Sequence, residues 1–173
     1  HIMRCLSIAE EIKRQGEDVT FIIADKRSET MITAKGFSVI CLDSIWNDLE
    51  KEIDCLIEVI KKQSISLLLI DSYFVTRHYL ESLRKETKIA YIDDLNMFIY
   101  PVDCLINYNI YADSLNYAKR YEQEGISNIK FALGCSYVPL REEFSNLTHE
   151  INNKVSRVLI TSGGTDNYNV VEN

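Results

Sequence analysis

The sequence predicts an α/β fold built on a parallel sheet, and three observations predict it. Short apolar runs alternate with amphipathic helical repeats along most of the 173 residues. Those runs lack the in-and-out alternation of a half-exposed strand, so both faces of the sheet are covered. Several of them end abruptly in acidic or amide residues, as strands do where loops gather at the carboxyl edge of an open sheet.

The elements follow in order. Ile2, Cys5, Leu6, Ala9 and Ile12 share one face of an opening helix that begins at His1 and stops at Gly16. Residues 19–24 (VTFIIA) form a strand ending at Asp25. Residues 28–35 form a short helix closed by Gly36, and residues 37–42 (FSVICL) the next strand. Leu49, Ile53, Leu56, Ile57 and Ile60 recur at helical spacing with charges opposite. Residues 67–70 are a buried strand ending at Asp71, and residues 75–86 a helix. Residues 89–92 are a strand ending at Asp93-Asp94, and residues 104–107 another short strand. Crossovers between parallel strands should be right-handed.

A doubly wound domain normally begins with a strand near the middle of its sheet, whereas here a helix comes first. The expectation is that a first strand is missing and that the natural polypeptide extends beyond both ends. Residues 142–154 are polar and read as a linker. Residues 157–161 (RVLIT) then begin a second βα unit, followed by Ser162-Gly163-Gly164-Thr165-Asp166. The expected layout is a first domain over 1–141, a linker over 142–154 and the start of a second domain over 155–173.

Composition excludes several functions. The net charge is −7 with a pI of about 5.0 and no basic run, which argues against nucleic acid or an anionic membrane as partner. No apolar stretch approaches the roughly 20 residues of a membrane helix. Cys5, Cys41, Cys55, Cys104 and Cys135 are odd in number and widely spaced, which fits reduced thiols in a cytoplasmic protein. His1, His78 and His149 show no zinc-ligand spacing, so no metal is expected.

Ligands of open parallel sheets bind outside the carboxyl ends of the strands. Those ends carry Asp71-Ser72-Tyr73, Asp93-Asp94 and Asn107-Tyr108-Asn109, and the start of the first helix lies on the same rim. His1 at a helix start sits in the positive end of the dipole, which disfavours imidazolium and leaves a ring able to accept a proton. It reads equally as a helix cap or a residue left from a purification tag. Arg4, one turn on, can reach a phosphate or carboxylate. Asp71 either faces a ligand or caps the helix after it. Asp93 and Asp94 either face a ligand or shape the following turn, and Asn107 and Asn109 have the same two readings. Tyr73 offers a donor and a stacking face. His78 and His149 read as surface residues. Gly163 and Gly164 let backbone amides approach a phosphate or simply form a tight turn. Neither a P-loop nor a dinucleotide fingerprint is present.

Taken together these motifs resemble the UDP-sugar hydrolases of pseudaminic acid biosynthesis and the related spore-coat polysaccharide biosynthesis proteins. His1-Ile2-Met3-Arg4-Cys5 is similar to the family segment G-x-G-H-x-M-R-C from the histidine onward. Asp71-Ser72-Tyr73 resembles D-x-Y, Ile92-Asp93-Asp94 I-D-D, and Asn107-Tyr108-Asn109 N-x-N. Leu133-Gly134 through Phe144 resembles L-G-x-x-Y…L-R-x-x-F, and Gly163-Gly164-Thr165-Asp166 resembles G-G-[ST]-D. The glycine pair before the histidine is absent. The resemblance implies the N-terminal Rossmann-like domain of a GT-B-type two-domain fold. It implies a cytoplasmic enzyme in which water cleaves the anomeric carbon–oxygen bond of a UDP-linked 2,4-diacetamido-2,4,6-trideoxy hexose, without metal or other cofactor. His1 and Tyr73 match the family's catalytic residues. Arg4, Asp71, Asp93, Asp94 and Asn109 are the expected substrate-binding residues, and Gly163, Gly164, Thr165 and Asp166 the expected diphosphate-binding residues. A glycosyltransferase of the same architecture and a non-catalytic nucleotide-sugar-binding domain are the alternatives.

Overall fold

A computed structural model describes residues 1–144, 147–148 and 153–160. The chain divides into two units, His1–Glu143 and Phe144–Asn173.

The first unit is an α/β domain with a parallel, Rossmann-like sheet. Helix α1 (Ile2–Arg14) is amphipathic and buries Leu6, Ser7 and Ala9. It ends where Gly16, at φ +90°, takes a left-handed conformation open to glycine at no steric cost. Lys13 and Arg14 in its last turn complement the negative end of the dipole. Strand β1 (Thr20–Ile23) leads into a 3-10 turn over Lys26–Ser28, where the Asp25 carboxylate accepts the Arg27 amide at 2.9 Å. Helix α2 (Glu29–Ala34) returns the chain to strand β2 (Ser38–Cys41). A 3-10 turn over Leu49–Glu52 opens helix α3 (Ile53–Lys62), which buries Ile53, Leu56 and Ile60 on the predicted stripe.

Strand β3 (Leu67–Ile70) precedes helix α4 (Arg77–Arg84), and strands β4 (Lys88–Ile92) and β5 (Cys104–Asn107) follow. Helix α5 (Tyr117–Gln123) and strand β6 (Lys130–Leu133) complete the order. Helix α4 is shorter than the expected 75–86, and the Thr76 hydroxyl, which accepts the Tyr79 amide at 3.0 Å, fixes its start two residues later. The pair α5 and β6 escaped the sequence reading. Tyr117 and Tyr121 are the buried positions of α5, so its core side is aromatic rather than aliphatic.

Pairing is parallel throughout, but it falls into two sheets: β1 with β2, and β3-β4-β5-β6. Two clusters follow this division. Leu6, Ala9, Ile23, Ile32 and Phe37 join α1 and α2 to the smaller sheet. Leu56, Ile60, Leu80, Leu83, Ile89 and Leu105, with Tyr91, Tyr100, Tyr117 and Tyr121, fill the larger core. In the second unit, residues 155–160 are exposed and lie in neither helix nor strand. Residues 157–160, the described part of the strand expected over 157–161, are among these. His149, Gly163, Gly164, Thr165 and Asp166 lie outside the described residues.

Leu80 is fully buried between α4 and the larger sheet. Leu80→Ala should destabilise the domain by about 2–5 kcal/mol, through lost transfer energy and a residual cavity. Urea titration of the two proteins reads this directly as a lowered midpoint at unchanged slope.

Candidate functional site

The predicted rim is where the polar side chains converge. Asp71 directly follows β3, Asp93 and Asp94 follow β4, and Tyr108 and Asn109 follow β5. Helix α1 starts against the same rim, so its first turn delivers His1 and Arg4 to these loops.

Asp71 is the centre of the cluster. Its side chain is only 4% exposed. Arg4 clamps it in the fork geometry of a bidentate pair, with Nε donating to Oδ2 at 2.6 Å and Nη2 to Oδ1 at 2.5 Å. The helix-cap reading of Asp71 is thereby corrected: Thr76 caps α4, and Asp71 turns back to α1. The carboxylate holds the Arg4 guanidinium pKa above its ordinary value, against the opposing effect of burial.

His1 Nδ1 lies 2.5 Å from Asp71 Oδ1. Arg4 Nη2 is 3.2 Å from the same ring nitrogen. An unprotonated Nδ1 would set its lone pair against the carboxylate oxygen at that separation. The consistent tautomer therefore carries its proton on Nδ1 and donates it to Asp71. This leaves the Nε2 lone pair unused. His1 remains 44% exposed at its side chain while Asp71 is sunk beneath it. A carboxylate that holds an imidazole in one tautomer and orientation is the arrangement a general base needs.

Tyr73 stands beside His1, with ring centroids 4.9 Å apart and planes at 74°. Its hydroxyl donates to Asp94 Oδ2 at 2.7 Å. That bond raises the phenol's pKa, as does partial burial, so Tyr73 stays protonated near neutrality and acts as a donor. Asp94 also receives Asn109 Nδ2 at 3.0 Å and Arg4 Nη1 at 3.4 Å. Arg4 Nη1 further donates to the Tyr108 hydroxyl at 2.7 Å. One guanidinium thus ties the loops after β3, β4 and β5 together.

The structure corrects the reading of Asp93. It is fully buried and faces away from the rim. Its carboxylate accepts the amides of Leu95 and Asn96, each at 2.9 Å, and the hydroxyls of Tyr100 at 2.9 Å and Tyr117 at 2.5 Å. Four donors saturate it, so it shapes the turn after β4 and offers nothing to a ligand. Asn107 is equally buried. It passes a hydrogen bond from Asn109 to Tyr117, with Asn109 Nδ2 donating to Asn107 Oδ1 at 2.9 Å and Asn107 Nδ2 to the Tyr117 hydroxyl at 3.0 Å. Of the paired residues expected on the rim, Asp94 and Asn109 face the site, and Asp93 and Asn107 support them from below.

A cavity of about 470 Å³ opens from the His1–Asp71–Tyr73 edge toward β1. Its mouth includes Trp46 and Phe74, packed edge to face with centroids 5.2 Å apart. Arg27 lies over the Trp46 ring at 5.9 Å. Sequence reading passed over these three residues, and it placed Tyr108 on the rim within Asn107-Tyr108-Asn109 without giving it a role. The position of Trp46 in the loop after the second strand was the available signal. His78, read as a surface residue, is exposed and bonds Glu50 at 2.7 Å, away from this cluster. Among the described residues no group of three or more potential ligands could hold a metal ion, and no helix is long and apolar enough to cross a membrane.

No protein-family profile matches the chain. The chain is similar to the UDP-2,4-diacetamido-2,4,6-trideoxy-beta-L-altropyranose hydrolase of Campylobacter jejuni subsp. jejuni serotype O:2 (strain ATCC 700819 / NCTC 11168). The two are 34% identical over 115 residues, which covers 64% of this chain and 39% of the relative. The matched stretch thus spans about two fifths of the relative's length.

Cys5 provides a chemical probe of this packing. Burial, with Asp71 close by, pushes its thiol up to about 12. A raised pKa keeps the group neutral, so about one molecule in ten thousand is thiolate at pH 8. Iodoacetamide at pH 8 should label the exposed Cys55 and Cys135 quickly and leave Cys5 unlabelled, as read by peptide mass spectrometry. Cys5 labelling at the rate of Cys55 would contradict the buried Arg4–Asp71–Cys5 arrangement.

Proposed function

We propose that this chain supplies the catalytic wall of a UDP-sugar hydrolase. The observation that carries the reading is the His1–Asp71 pair, a ring held by its Nδ1 proton with Nε2 turned to the open rim. In the proposed reaction Nε2 takes a proton from water as the water oxygen attacks the anomeric carbon. The bond from that carbon to the diphosphate oxygen breaks, and UDP leaves with the electron pair. Tyr73 spends its hydroxyl proton on Asp94, so its oxygen lone pairs are suited to accept a hydrogen bond from a sugar hydroxyl or from the attacking water beside His1. Asp94 and Asn109 are suited to the sugar's hydroxyl and amide groups. Arg4 is committed to Asp71, Asp94 and Tyr108, so its role is to hold the carboxylates in place rather than to bind phosphate itself.

The similarity to a hydrolase of a UDP-linked 2,4-diacetamido-2,4,6-trideoxy sugar supports that substrate class. The proposed setting is cytoplasmic synthesis of a nonulosonic acid or surface polysaccharide. The proposed architecture is GT-B-like, with residues 1–141 as the sugar wall and residues 155–173 opening a nucleotide wall in which Gly163, Gly164, Thr165 and Asp166 cradle the diphosphate.

The test is UDP release from candidate UDP-sugars without an acceptor, measured for residues 1–173 and for any longer polypeptide carrying them. His1→Gln in the active form should lower turnover by about 10²–10⁴-fold with little change in UDP affinity, as expected for loss of a general base. Tyr73→Phe should cost less, since it removes one hydroxyl. Wild-type turnover in His1→Gln would remove His1 from the mechanism. Residues 1–173 alone should turn over no UDP-sugar, because positioning from a second wall contributes on the order of 7–11 kcal/mol.

A further inference from the structure

The loops after β1, β2 and β3 each bring one large side chain to the cavity mouth that His1 and Tyr73 also line. Trp46 stands at the tip of the turn after β2, which the Asp48 amide closes by donating to the Ile45 carbonyl at 2.9 Å. Phe74 follows Tyr73 after β3. Its amide donates to Ser72 Oγ at 3.2 Å, and the Tyr91 hydroxyl donates to the Ser72 carbonyl at 3.1 Å. Hydrogen bonds thus hold both turns, and the two rings pack edge to face. Even so, Trp46 stays 51% exposed and Phe74 43% exposed. Aromatic rings held at a cavity mouth with half their surface uncovered present an apolar wall to whatever enters. Arg27 borders that wall, with Cζ 5.9 Å over the Trp46 ring. Its Nη2 donates to Asp25 at 2.6 Å and its Nε at 2.9 Å, so the carboxylate offsets the guanidinium charge and makes the place a poor one for phosphate. Arg27 Nη1 makes no hydrogen bond among the described residues, which leaves N–H donors at the edge of the aromatic surface.

The geometry points to Trp46, Phe74 and Arg27 as a subsite for an N-acetyl group, the methyl resting on the two rings and the carbonyl oxygen accepting from Arg27 Nη1. An uncharged group that is half methyl and half amide matches an apolar wall bordered by a charge-balanced donor. Which acetyl group enters rests on the hydrolase reading above. With water attacking the anomeric carbon beside His1 and Tyr73, the substituent on the adjoining ring carbon, C2, is the one presented to Phe74. The C6 methyl lies about as near across the ring oxygen, but it has no carbonyl for Arg27. A hydroxyl at C2 would leave both rings wet and could not reach Nη1, so the three residues select the acetamido sugar over the hydroxy sugar by methyl burial and one hydrogen bond together.

Trp46 is the single tryptophan of the chain, so its fluorescence reports on this place alone. Residues 1–173 are titrated with free 2,4-diacetamido-2,4,6-trideoxyaltropyranose, with the analogue bearing a hydroxyl in place of the C2 acetamido group, and with the one bearing a hydroxyl in place of the C4 acetamido group. The diacetamido sugar should give a saturable change at roughly millimolar concentration. The C2-hydroxy analogue should bind about tenfold more weakly or worse, and the C4-hydroxy analogue within about threefold of the parent. In Phe74→Ala and in Arg27→Met, each verified as folded by circular dichroism, the C2 difference should shrink to about threefold or less. The comparison of sugars on the wild-type chain needs no variant. Equal binding of the C2-hydroxy analogue, no saturable change in Trp46, or a tenfold preference that survives in both variants would overturn the inference. The hydrolase reading is tested separately by UDP release. If no polypeptide carrying these residues releases UDP but Trp46 still selects the C2-acetamido sugar, that reading falls and the subsite stands. If UDP is released and Trp46 shows no such selection, the subsite alone falls.

Discussion

The buried carboxylate of Asp71 is the constraint on which the site depends. Helix α1 belongs by packing to the smaller sheet, through Leu6, Ala9 and Ile23, while Asp71 belongs to the larger sheet at the end of β3. The fork of Arg4 and the ring of His1 close on Asp71 across that division. A buried ion pair adds little net stability, because desolvation offsets much of the attraction. Its value here is geometric. It fixes the rotation of α1 about its axis, selects the tautomer of His1, and keeps a charge beside an exposed imidazole without exposing the charge itself.

A second buried carboxylate does for Asp94 what Asp71 does for His1. Asp93 is saturated by two amides and two tyrosine hydroxyls, and from Tyr117 a continuous hydrogen-bonded path runs through Asn107 and Asn109 to Asp94. Every partner on that path is a side chain with a single sensible role: Tyr117 accepts from Asn107 and donates to Asp93, and Asn109 donates both to Asn107 and to Asp94. In a low-dielectric interior such a chain holds its members more tightly than isolated pairs would. The exposed members, Asp94 and Asn109, are thereby held by residues that no ligand reaches. Tyr73 joins this path at Asp94 and His1 joins the Asp71 clamp, and the two meet edge to face at the surface.

Much of this was legible in the sequence because it depends on periodicity. Uniformly apolar runs placed β1 to β5, and the 3.6 repeat placed α1, each to within a residue or two, whereas the repeat read from Leu49 covers a 3-10 turn before α3 begins at Ile53. The rim was legible because strand ends are marked by abrupt polarity, as at Ile70-Asp71 and Ile92-Asp93. The inward or outward turn of each polar residue was not legible. Asp93 and Asp94 are neighbours of the same type, and what separates them is contact with Tyr100 and Tyr117, distant in sequence. The same holds for Asp71, whose partner Arg4 lies 67 residues away. Helix α5 was missed because its buried face is made of tyrosines, which count as amphipathic in a pattern scan but here bury their rings and spend their hydroxyls internally. The glycine-rich segment at 163–166 lies outside the described residues, so its reading rests on its pattern and on resemblance.

The central claim is that Asp71 holds His1 in the Nδ1-protonated tautomer with Nε2 free. Two-bond nitrogen–proton correlation spectra of the His1 imidazole, recorded near neutral pH in the wild type and in Asp71→Asn, test it directly. The account predicts a ring with protonated Nδ1 and bare Nε2 in the wild type, and loss of that preference in Asp71→Asn. A His1 ring that is already Nε2-protonated in the wild type, or that averages both tautomers regardless of Asp71, would contradict it.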